Sequence, residues 1–127
     1  MRFMMLMYPE ITEQEWMPTA EAVAAMSRYN DELAKAGILL TLDGLHPPTE
    51  GARVQFRGGK AAVTDGPFAE AKEVVGGYWI IQVRDKAEAV AWASRCPVEE
   101  DATIEVRRIF ELSDFPEDVQ AAVQTAS

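Results

Sequence analysis

The stretch from Val63 to Ile81, VTDGPFAEAKEVVGGYWII, decides how this chain folds. It joins the tetrad Asp65-Gly66-Pro67-Phe68 to a charged segment, a double glycine and an apolar run. Pro67 pushes Gly66 away from the helical region, and glycine tolerates the dihedrals that result. An aspartate before such a turn can fold its carboxylate onto neighbouring backbone N–H groups. The chain therefore turns at the tetrad and restarts as a strand over Tyr78–Val83, which is rich in aromatic and β-branched residues. Gly76-Gly77 lets another backbone approach just before that strand. Glu70, Lys72 and Glu73 between the two motifs read as a solvated face with local ion pairs.

Upstream of the tetrad, Val54 and Phe56 alternate with polar residues, as do Ala61 and Val63 across Gly58-Gly59. That pattern predicts a β-hairpin with a two-residue turn. HPPTEG, residues 46–51, is a loop because its two prolines cannot continue a central strand. Ile38–Leu45 is a second apolar run of strand length. Before it, Ala22, Met26, Tyr29, Leu33 and Ala36 form one stripe of a helix starting near Thr19, with Gly37 in the capping position. Thr12 and Glu15 have capping-box spacing and predict a short helical turn ended by Pro18. Arg2–Tyr8 is apolar enough for a central strand buried on both faces.

Downstream, Asp85 caps a helix whose Ala89, Trp92, Ala93 and Cys96 share a face and which Pro97 stops. Thr103–Phe110 reads as the last strand, and Pro116 opens a short amphipathic helix in the tail, residues 113–127. The order is β-α-β, a hairpin, then β-α-β, so the expectation is one α+β domain with its core over about residues 1–112. A ferredoxin-like β-α-β-β-α-β arrangement with an inserted hairpin puts both helices on one face of an antiparallel sheet. The opposite face is then bare, and a second copy is the simplest cover for it, so a homodimer is expected.

A net charge of −9 over 127 residues repels phosphate backbones and argues against direct nucleic-acid binding. No apolar run approaches the roughly 20 residues of a membrane helix. MRFMMLMYPE is too short in its apolar part for a signal peptide and reads as a first strand. The lone Cys96 reads as a core filler in a reducing, cytoplasmic compartment. One histidine and no clustered cysteines give no metal framework, and no cofactor is expected.

His46 is the only imidazole, held in a loop stiffened by two prolines, where it can serve as a general base oriented by Asp43 or Asp65. It can equally be a solvated bystander, and the tetrad can be a turn and nothing more. Arg107 can hold an anionic group or sit in a structural ion pair. Tyr8, Phe68, Tyr78 and Trp79 are the aromatic candidates for lining a small-molecule pocket. The candidate catalytic pair is therefore Asp65 with His46. The expected chemistry is general acid/base work (elimination, isomerisation or decarboxylation) on a small organic substrate. A non-catalytic ligand-binding module is the alternative.

The same string, with AGILLTLDGLHP before it and IEVRRIFEL after it, resembles the DGPF branch of the YciI-like (YCII-related) proteins from Arg2 to about Leu112. The resemblance implies a ferredoxin-like fold that pairs through its sheets into a dimeric α/β barrel. It also implies a pocket lined by a His–Asp pair, with the histidine usually on the first helix. Here that helix reads AMSRYNDELAKAG and holds no histidine, so Asp65 matches the motif while His46 stands as the substitute partner. Proteins of this branch often lie beside, or fused to, extracytoplasmic-function sigma factors, which implies a sensing or regulatory role as the alternative.

Overall fold

The computed structural model describes residues 1–68 and 73–126, with side chains described as far as residue 123. The tetrad is therefore visible, whereas the expected solvated residues Glu70 and Lys72 lie outside the described residues; Glu73 is exposed.

Strands β1 (Arg2–Tyr8), β2 (Leu39–Gly44), β5 (Gly77–Gln82) and β6 (Thr103–Arg108) form one sheet in the order β2-β5-β1-β6. All three pairings are antiparallel. Strands β3 (Ala52–Arg57) and β4 (Lys60–Asp65) form a separate two-stranded sheet. The helices are α1 (Ala20–Lys35), α2 (Lys86–Ala93) and α3 (Glu117–Ala126). This is an α+β chain, and its order and antiparallel pairing are compatible with the ferredoxin-like arrangement expected above.

The local rules behind these elements are visible in their ends. The Thr19 hydroxyl accepts from the Ala22 N–H at 3.1 Å, and Gly37 takes φ +74° just past α1. The Asp85 carboxylate caps α2 by accepting from the Glu88 N–H at 2.9 Å. Gly58 and Gly59 both have positive φ, as a two-residue hairpin turn requires. The last strand is shorter than expected. The Ile109 N–H still donates to Arg2 C=O at 2.9 Å, but the chain then turns through a 3-10 segment at Leu112–Asp114.

The core lies between the sheet and α1 with α2. Phe3 and Met5 of β1 and Trp79 and Ile81 of β5 alternate onto this side, against Tyr29, Leu33, Ala89 and Cys96. Tyr29 meets Trp79 edge-on at 6.1 Å between centroids and donates its hydroxyl to Trp92 C=O at 2.7 Å. Burial in this layer pushes the Tyr29 phenol up from its ordinary value and the Cys96 thiol up to about 12.

Within one chain β1 is not buried on both faces. Met4, Leu6 and Tyr8 point away from the helices, opposite Ile80, Tyr78 and Thr103, and stay partly exposed. The reason is geometric: side chains alternate along a strand, and the helical layer covers one side of the sheet.

Candidate functional site

Four segments converge at one end of the sheet to form a groove of about 760 Å³. One wall is the loop after β1, with Pro9, Ile11 and the 3-10 turn that carries Trp16. A second is the face of α1 presenting Val23, Met26, Ser27 and Asn30. Leu45, His46, Pro47 and Thr49 close it from the loop after β2, and Pro97 and Val98 from the loop after α2. The volume lies in the range of small-molecule sites, and the lining is more apolar than polar.

The walls are fastened together. The Trp16 indole N–H donates to Leu45 C=O at 2.9 Å, tying the 3-10 turn to the β2 loop. The Glu15 carboxylate accepts from the Thr12 hydroxyl at 2.8 Å and from the Thr12 N–H at 3.1 Å. These bonds hold its pKa below the usual carboxylate value. Gly76 stitches the floor, donating to Met7 C=O at 2.7 Å and accepting from the Leu45 N–H at 2.9 Å. A Cβ added at Gly76 would lie 3.0 Å from the Pro9 ring, so the double glycine does serve close approach.

Asn30 is the best-placed polar group on the α1 wall. The Trp79 indole N–H donates to its Oδ1 at 2.9 Å. An indole can only donate, so the amide orientation is fixed by chemistry. The Asn30 N–H₂ group is left without a protein partner among the described residues and can donate to a ligand carbonyl or hydroxyl. Trp79 is 4% exposed and stands behind this wall, orienting Asn30. Glu13, Glu15, Glu50 and Glu99 also line the groove, with no lysine or arginine among the described residues that do. The site therefore disfavours anionic ligands. Among the described residues no group of three or more His, Cys, Asp or Glu side chains is arranged to hold a metal ion.

The other residues singled out by sequence are dispersed. His46 is in the groove wall and exposed. Asp65 ends β4, is exposed, and takes no side-chain hydrogen bond or ion pair among the described residues; none joins it to His46. Tyr8, Tyr78 and Arg107 sit on the outer face of the sheet. There the Tyr78 hydroxyl donates to Asp43 Oδ2 at 2.8 Å, which raises its pKa, and Arg107 lies 4.0 Å from Glu105. Tyr78 and Trp79 are neighbours in one strand, so they face opposite sides of the sheet and do not share a pocket within one protomer.

The tetrad itself clamps the foot of the hairpin. The Gly66 N–H donates to Gly51 C=O at 3.0 Å, and a Cβ at Gly66 would fall 1.8 Å from the Pro48 carbonyl oxygen. Only glycine fits there. The Gly66–Pro67 peptide is cis, and the Arg53 guanidinium covers the Phe68 ring at 4.1 Å. The loop that backs Gly66 also lines the groove through Pro47, Thr49 and Glu50.

Sequence reasoning missed Asn30, Trp16 and Met26 as groove residues. A signal was present: Val23, Ser27 and Asn30 recur at helical spacing beside the core stripe, and two of the three are polar.

The fold and groove together define a small α+β protein with a mainly apolar, acid-lined pocket at one end of an antiparallel sheet. Residues 1–113 match the YCII-related domain, and the chain belongs to that family. No curated protein matches it in sequence.

Proposed function

We propose that the chain binds a small, mainly apolar organic molecule that is uncharged or cationic and carries a hydrogen-bond acceptor such as a carbonyl. The observation that carries this reading is the groove itself, with the Asn30 N–H₂ group left over after Trp79 has taken its oxygen. Binding without turnover suits a sensing or regulatory module of the kind found beside extracytoplasmic-function sigma factors. The reading includes a cytoplasmic setting, supported by the single buried thiol of Cys96. It also includes a homodimer formed through the outer sheet face into an α/β barrel, supported by the partly exposed Met4, Leu6 and Ile80.

Thermal-shift titration with benzyl alcohol, phenethylamine and phenylacetate tests the ligand class. Stabilisation by the first two and not by the third, weakened in Asn30→Leu, is the expected result. Stabilisation by phenylacetate alone would overturn it.

A second reading, acid/base catalysis on the bound molecule, is favoured by one observation: the only imidazole in the chain is in the groove wall. It gives His46 the proton-transfer role and Asp65 that of its carboxylate partner, and requires the two to approach each other on ligand binding or across a dimer. His46→Gln separates the readings. Unchanged affinity with no chemical change in any bound molecule supports binding alone; loss of a measured turnover supports catalysis.

A further inference from the structure

The hairpin β3–β4 forms a two-stranded sheet apart from the main one. Every residue from Ala52 to Asp65 is exposed. Val54 pairs with Val63 and Phe56 with Ala61, so these four side chains share one face. Val54, Phe56 and Val63 are 51%, 79% and 66% exposed. Arg53, Arg57 and Lys60 lie on the opposite face. An isolated two-stranded hairpin is marginal in water, and a contiguous exposed apolar face marks a contact surface. The foot of this hairpin is nevertheless clamped through Gly66, Gly51 and Pro48, which fixes the direction in which it projects.

Its charge identifies what it meets. The hairpin holds three of the 12 basic residues and, at its foot, one of the 21 acidic ones. The remainder of the chain is therefore strongly acidic. Two copies of a −9 protein carry like net charge, and a cationic element near their seam offsets part of that repulsion. Nucleic acid or an anionic membrane would meet the same repulsion from the acidic body. We infer that the hairpin is an arm that packs its apolar face, Val54, Phe56 and Val63, on a second copy of this chain, while the basic side chains of the ribbon lower the like-charge repulsion near that seam. In a two-fold pair each copy gives one arm and receives one. This inference rests on the homodimer reading above and adds a second contact to it.

Sedimentation velocity separates the two. Wild type, Phe56→Ser/Arg57→Glu in the arm and Met4→Lys on the outer sheet face are compared across a protein dilution series, with circular dichroism as the check on folding. The expected result is a dimer in the wild type, weakened at least about tenfold by the arm substitutions, as loss of an aromatic anchor should produce. A folded arm variant that dimerises as tightly as wild type overturns the arm and, if Met4→Lys is monomeric, leaves the sheet-face dimer standing. A wild type that stays monomeric at every concentration overturns both. Co-sedimentation of the wild type, but not the arm variant, with phosphatidylserine vesicles or duplex DNA while it remains monomeric would assign the arm to those partners instead.

Discussion

The foot of the hairpin and the wall of the groove share one loop, residues 47–51, and are built by different kinds of residue. At the foot, Gly66 is demanded by a backbone oxygen that leaves no room for a side chain, and Arg53 lies over the Phe68 ring. At the groove, the double glycine contributes Gly76 to the floor, and the walls are built differently. Pro9, Trp16, Met26, Asn30, Leu45 and Val98 are ordinary residues brought together from four segments, and their value lies in the space they enclose. A dense sequence motif can thus mark a place where the backbone is tightly constrained, while the ligand-sized space lies next to it.

The largest effect should come from Gly66→Ala. A Cβ 1.8 Å from the Pro48 oxygen forces the loop to move, and a loss of about 1–3 kcal/mol is expected by the usual cost of overpacking. Chemical denaturation measures it, and an unchanged midpoint would show that the foot is not clamped. Trp16→Ala should come next in stability, by about 1–2 kcal/mol for a hydrogen bond and partly buried ring. It should also weaken benzyl alcohol binding, a readout that Gly66→Ala reaches only through the shared loop. A full effect on stability with none on binding would detach Trp16 from the site.

Acid should affect the groove before it affects the foot. The folded-state pKa of Glu15 lies below its ordinary 4.5, so its contribution is present above that value and is lost as pH falls through the folded one. Binding of an uncharged probe should weaken in that window, and Glu15→Gln should remove part of the pH dependence. The smallest effect is expected from Asp65→Asn. The side chain is exposed and unpaired among the described residues, so stability should change by less than about 0.5 kcal/mol. A large loss would show that the aspartate supports the turn; an altered ligand response without loss of stability would support a role at the site.

Much of the fold was legible because local rules agreed with one another. Thr19, Asp85, Gly37 and Gly58-Gly59 all stand at the caps and turns that their chemistry predicts. The groove was not legible, because a cavity depends on the distance between segments remote in sequence, such as Trp16 and Leu45. Period-two alternation alone would have separated Tyr78 from Trp79. His46 could be placed at a strand end by its prolines, but whether it faces Asp65 depends on how the hairpin leaves the sheet. Nothing in one sequence encodes that angle directly.

The central claim, that the groove and not the outer sheet face receives the ligand, is tested most directly by two-dimensional amide NMR during titration with benzyl alcohol. Saturable shifts are expected at the Trp16 indole, the Asn30 side-chain amide and the backbone of Leu45 and His46. Shifts gathered instead at Tyr8, Tyr78 and Arg107 would contradict it.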